Sequence, residues 1–173
     1  LENSLAFRKL VVEAIFGEPL GIENTVVSLQ RHRQVGGFTD IEIQDGHRYH
    51  AVVEAKRWWD VPGIEQFRLY HPRLVAGGAA RQRLVSVSAA DAGYASKRLP
   101  PDIDGVSIIH LSWGSLRELA KKAQVLASGF EEKLWLRHLI WHLQEYASME
   151  RQSDNSVYAL ALGQTYLFGS NTV

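Results

Sequence analysis

The chain has no cysteine, no net charge and no apolar run approaching the length of a membrane span. Without cysteine there are no disulfides and no thiolate metal sites, which suits a reducing compartment. With 19 Lys and Arg against 19 Asp and Glu, the chain lacks the global basicity of a nonspecific nucleic-acid coat. Any positive charge that serves function must therefore be local. No apolar stretch has spanning length, and the first residues lack the basic, apolar and small-residue order of a signal peptide. The expectation is a cytoplasmic protein with no membrane partner. The glycine pairs at 36–37 and 77–78 are not followed by Gly-Lys-Ser/Thr, so they read as turns and not as a phosphate-cradling loop.

What is present suffices for one core: 173 residues, 46% of them hydrophobic. Apolar Leu5, Ala6, Leu10, Val11, Ala14 and Ile15 recur near helical spacing, predicting a helix over 3–16 that Gly17 and Pro19 end. Three strands follow near 25–32, 37–44 and 48–56. Asp60-Val61-Pro62 starts a second helix, with proline in its first turn, and Gly77-Gly78 stops it. Two further strands fall at 83–87 and 106–111, separated by a loop that contains Pro100-Pro101. Residues 115–127 form an amphipathic helix. Residues 130–149 form a longer one, apolar nearly all round, which predicts burial over the sheet, against a second subunit in a homodimer, or against a fused domain. The tail reads as short strands at 157–163 and 166–169.

The chemistry concentrates at two strand ends. Asp40 heads the run Asp40-Ile41-Glu42-Ile43, and the apolar run that follows the turn ends in Glu54-Ala55-Lys56. Ionised side chains at the tip of an apolar strand are costly unless paired or engaged with a metal. Alternation puts Glu54 and Lys56 on one face, and an antiparallel hairpin brings Asp40 beside Glu54. Two carboxylates suit Mg2+, which prefers oxygen ligands, and Mn2+ can substitute; a nearby ammonium can hold the attacking water and screen charge on phosphorus. The plainer alternative is a surface hairpin with a same-face Glu54–Lys56 ion pair. Crowded like charges further predict that removing either acid leaves stability unchanged or slightly raised in EDTA.

In order and type these residues resemble the PD-(D/E)xK nuclease superfamily, and within it the RecB-like branch. The likeness runs from Glu2-Asn3-Ser4-Leu5 through Gly37-Phe38-Thr39-Asp40 and Val53-Glu54-Ala55-Lys56 to Gln66-Phe67-Arg68-Leu69-Tyr70, with Thr39 where the superfamily name has proline. The resemblance implies an α/β restriction-endonuclease-like core of order αβββαβ, a central mixed sheet flanked by helices. The likeness covers roughly residues 2–90; residues 1–112 would form that core, and 113–173, of which the resemblance says little, extra C-terminal helices and a tail on the same domain. It further implies a Mg2+-dependent deoxyribonuclease with little sequence preference, acting in DNA repair or in defence against foreign DNA. Its metal ligands would be Asp40, Glu54 and the Ala55 carbonyl, its catalytic lysine Lys56, and its supports Gln66 and Tyr70. A third carboxylate from the first helix completes such sites. Glu2 is the first candidate and Glu13 the other, with about 16 Å of helix between them so that both cannot reach one ion; Glu23 and Glu42 are fallbacks, Glu42 on the same strand face as Asp40 and open to a role at a second metal. The alternative is a noncatalytic module of the same fold that binds nucleic acid or protein.

Around the motif lie Arg31, Arg33, Arg57, Arg68, Arg73, Arg81 and Arg83, with His32, His50 and His71 among them. Arg57, Arg68 and Arg73 are candidate phosphate contacts, and so are the Gln66 amide and the Tyr70 hydroxyl, which share a helical face. Solvated arginines and a core tyrosine are the ordinary alternatives. Trp58 and Trp59 can stack on an unpaired base or pack in the core. His138 and His142 are spaced for zinc, but Leu139 stands where a zincin has glutamate, so they read as packing or exposed residues.

Overall fold

The computed structural model describes residues 1–33 and 37–148, with residues 31–33, 37 and 148 described by their backbone alone. Met149 and the strands expected at 157–163 and 166–169 lie outside the described residues.

The first helix, α1 (Leu5–Phe16), starts where Ser4 Oγ accepts from the Phe7 amide, and it ends at Gly17, whose φ of 76° only glycine adopts without strain. Its stripe of Phe7, Val11, Val12, Ile15 and Phe16 is buried. Strands β1 (Val26–Arg33), β2 (Gly37–Asp45) and β3 (Tyr49–Ala55) form an antiparallel meander. Helix α2 (Ile64–Ala76) then crosses over to β4 (Arg81–Ser88), which pairs parallel with β3. Pro62 falls before the N-cap, Gly63, and not inside the first turn: a residue preceding proline disfavours helical backbone, so the chain stays extended through Val61 and Pro62. A second proline, Pro72, does sit inside α2.

The loop around Pro100-Pro101 contains more structure than its sequence announces. A one-turn helix, α3 (Ala92–Ser96), is capped by Asp91, and a two-residue strand, β5 (Asp102–Ile103), turns through Asp104 and Gly105 to pair antiparallel with β6 (Val106–Ser112). β6 pairs parallel with β4, so the six-stranded mixed sheet runs β1-β2-β3-β4-β6-β5. Helices α4 (Trp113–Leu126) and α5 (Phe130–Ser148) follow.

Alternation divides the core into two layers. Ile43, Ala51, Val53, Val85 and Val87 meet α1, α4 and α5 on one face. Val52 and Leu84 meet Phe67, Tyr70 and Leu74 of α2 on the other. α5 buries Leu136 and Leu143 in the first layer and leaves Phe130 and Trp141 exposed, so its apolar circumference is covered on one side only. Glu132 near its start accepts from Ser4 Oγ at 2.7 Å, fastening α5 to the head of α1. No helix among the described residues is long and apolar enough to cross a membrane.

One polar cluster lies inside the second layer. Glu42 has no exposure and Arg73 has 2%, and the two form an ion pair. Thr39 Oγ1 donates to Glu42 Oε1 at 3.2 Å, and His50 Nε2 lies 3.6 Å from Glu42 Oε2. A lone buried carboxylate is far costlier than the pair. Unfolding in urea should therefore show Arg73→Met losing about 3–5 kcal/mol, with Glu42→Met/Arg73→Met recovering most of it.

Candidate functional site

The site forms where the β2–β3 ladder stops. The last paired residues are Ile41 and Val53, which brings Asp40 and Glu54 to the next positions on adjacent strands. There a side chain replaces the ladder: Asp40 Oδ2 accepts from the Ala55 amide at 2.8 Å. Across β2 the backbone is irregular as well, for Gln30 between the β1–β2 pairs has φ 45°.

Glu54 is 4% exposed and held from two sides. Lys56 Nζ lies 2.8 Å from its Oε1, and the Tyr70 hydroxyl lies 2.8 Å from its Oε2. Lys56 itself is one-third exposed, at the rim. Its amide donates to Val87 O and its carbonyl accepts from Trp113 Nε1, so the lysine backbone is fixed from β4 and α4. The Tyr70 oxygen is also 2.8 Å from Phe38 O and receives the Gln66 amide at 3.0 Å. A phenol has one proton, so it serves Glu54 or the Phe38 carbonyl at any moment.

These contacts revise several expectations. Tyr70 is 2% exposed and its hydroxyl faces Glu54, so it positions the carboxylate and is not a phosphate contact. Gln66 acts behind it. Arg73 is no nucleic-acid contact either, because its guanidinium is buried on Glu42. Arg68 is exposed on α2 and paired with Glu65, and Arg57 is exposed beside the site with its guanidinium 5.6 Å from the centre of the Trp58 ring. The basic stretch in sequence is thus not one surface. Arg81 pairs with Glu18 and stands opposite Tyr49, about 16 Å along the sheet from the level of Glu54. Arg83 covers the Phe16 ring on the α1 side. The side chains of Arg31, His32 and Arg33 lie outside the described residues. His138 and His142 are both exposed on α5.

Among the described residues no candidate for the third acid forms a ligand group with Asp40 and Glu54, and Glu42 is buried in its pair with Arg73. Glu2 is exposed and lines a surface recess with Asn3, Leu5 and Glu131. Among the described residues no three His, Cys, Asp or Glu side chains are grouped as ligands. Asp40 and Glu54 alone still match Mg2+ in donor type, since that ion is commonly bound by one or two carboxylates with water and phosphate completing the octahedron. Removing Glu54 would leave Lys56 without its carboxylate partner and take one of two acceptors from the buried Tyr70 hydroxyl, so relief of repulsion does not dominate: Glu54→Ala should cost roughly 1–3 kcal/mol.

Two features were absent from the sequence reading. The Glu42–Arg73–His50 cluster was detectable: Gln66, Tyr70 and Arg73 follow one helical stripe, and Glu42 and His50 alternate onto the facing side. The other is a polar row. Ser86 pairs with Glu54 on one side and His110 on the other, and its hydroxyl lies 3.1 Å from His110 Nδ1 while His110 Nε2 meets Ala90 O. No motif signals it. An apolar cavity of about 220 Å3 on the α1 side, lined by residues such as Phe7, Val85 and Leu139, contains no titratable side chain; it reaches Ala55 and Trp113 from the opposite face of the sheet to Glu54.

Comparison with known proteins leaves the residues to carry the argument: no family model, curated protein or solved structure matches the chain.

Burial pushes the Tyr70 phenol up to about 12 against a downward pull from the Gln66 hydrogen bond, the next largest cause, and the hydrogen bond to Glu54 and the negative charges of Glu54 and Asp40 raise it further. Folding thus favours the neutral phenol. Its contribution to stability is complete below pH about 10 and is lost as pH rises towards 12. Tyrosinate absorbance should show a late step near pH 12 that Tyr70→Phe removes, with alkaline unfolding of the wild type beginning in the same window.

Proposed function

We propose that the chain is a Mg2+-dependent nuclease of the PD-(D/E)xK superfamily, in its RecB-like branch, that hydrolyses DNA phosphodiester bonds in the cytoplasm with little sequence preference. The carrying observation is the convergence of Asp40, Glu54 and Lys56 where the β2–β3 ladder ends, with Tyr70 and Gln66 of α2 behind Glu54. A six-stranded mixed sheet with α1 and α2 on opposite faces is compatible with the restriction-endonuclease-like core.

Asp40 and Glu54 would hold the ion together with the Ala55 carbonyl. Mg2+ in that place supplies charge neutralisation at the scissile phosphate and a more acidic bound water, and Mn2+ substitutes. Lys56 keeps donors to spare beyond its bond to Glu54, so it holds a water or phosphoryl oxygen and offsets the charge that grows on phosphorus. Tyr70 keeps Glu54 in one rotamer, and Gln66 keeps the Tyr70 hydroxyl aimed. Arg57, exposed next to Lys56, and Arg68, exposed on α2, are phosphate contacts that carry no base information, which makes binding salt-dependent.

The second reading is a noncatalytic module of the same fold, since among the described residues no third carboxylate joins Asp40 and Glu54. Incubation with linear and circular DNA, with Mg2+ and with EDTA, separates them. The nuclease cleaves in Mg2+ only, loses activity in Asp40→Asn and Glu54→Gln, and slows by about 100-fold or more in Lys56→Ala at unchanged DNA affinity. Lys56→Arg recovers only part, since a forked guanidinium does not replace a compact ammonium. Wild-type cleavage by Lys56→Ala overturns the mechanism, and binding without cleavage under every condition establishes the module.

A further inference from the structure

The face of the sheet away from Glu54 has a floor of short side chains under a roof of large ones. Val53, Ala55, Val85 and Val87 form the floor, with α1, α4 and α5 above them. The roof is held by rings. Phe7 of α1 meets Trp135 of α5 at 6.3 Å between centroids, and Trp113 of α4 meets Tyr146 of α5 at 5.3 Å. The covering helices therefore rest on one another through rigid aromatic pairs and do not settle onto the valines. The space left between is the cavity of about 220 Å3. Close-packed interiors hold few voids larger than a water molecule, so a space of this size gives up contacts that an occupant would restore.

We propose that this cavity is a binding site for one small uncharged apolar molecule, a single aromatic ring or a short aliphatic chain. The lining chooses the occupant: its surface is almost wholly apolar, and the indole N–H of Trp113 is already donated to the Lys56 carbonyl. Buried water needs two or more polar partners, and a charged or hydrogen-bonding ligand would lose its hydration with nothing in exchange. Size sets the other limit. An apolar cavity of roughly 150 Å3 stays dry and takes up benzene, so this larger one admits a ring with a small substituent. The site requires neither metal nor nucleic acid and stands whether or not the chain cleaves DNA. It still abuts the carboxylate pair, since Trp113 lines the cavity with its ring and fixes the Lys56 backbone through its nitrogen.

Benzene and benzoate, alike in ring and opposite in polarity, test the proposal on the full chain. Benzene at about ten times its Kd should raise the melting temperature by about 3–6 °C, and benzoate at the same concentration should leave it unchanged. In methyl NMR spectra the signals of Val53, Val85 and Val87 should move in the ring current of bound benzene, while those of Leu74 and Leu84 in the other core layer stay in place. Val85→Phe and Leu139→Phe each fill part of the space, and either one, if folded, should weaken benzene binding by about 10-fold or more. Unmoved floor methyls, stabilisation by benzoate equal to that by benzene, or wild-type benzene affinity in a folded filling variant overturns the proposal.

Discussion

The buried Glu42–Arg73 ion pair sets the geometry from which the site follows. A charge with no access to water must find its partner, so α2 can adopt only the rotation that delivers Arg73 to β2. Once that rotation is set, Tyr70 and Gln66, on the same stripe of α2 and nearer its start, face the strand ends one level up. Tyr70 then meets both Phe38 O on β2 and Glu54 on β3, closing the gap left where the two strands stop pairing. The second core layer is thus organised by polar contacts at its centre and rim, with Phe67, Leu74, Leu84 and Val52 filling the space between.

Most elements were legible because they are long enough to repeat a pattern. α1, α2, α4 and α5 each span three turns or more, and β1 to β4 and β6 alternate over seven residues or more, with glycine or proline marking several ends. α3 and β5 have five and two residues, too few for either period to register. They exist because neighbours supply their bonds: His110 reaches Ala90 O, and the Ile108 amide reaches Pro101 O.

At the site, Asp40, Glu54 and Lys56 could be read from alternation and hairpin geometry. The misreadings share one cause, which is that spacing gives the face of an element but not its depth. Tyr70 and Arg73 lie on the face expected of them and too deep to touch a phosphate. The arginine cluster failed for a related reason. The parallel crossover from β3 to β4 starts β4 again at the far end of the sheet, so Arg81 and Arg83 are close to Glu54 in sequence and distant in space. Glu2 precedes α1 and lines an exposed recess together with Glu131 at the start of α5.

The bond between Ser4 and Glu132 couples the beginning of the described chain to a residue 128 positions later. Ribosomal synthesis makes these partners in order, and that order has a consequence. α1 emerges before Ala120, Ala123, Leu136 and Leu143, which cover its apolar stripe. Between the emergence of α1 and that of α5 the nascent chain therefore carries an incompletely covered amphipathic helix, a natural client for a chaperone at the exit tunnel. Folding of this layer waits on the arrival of α5, and a ribosome that stalls between α4 and α5 would release a sticky intermediate in place of a smaller stable domain.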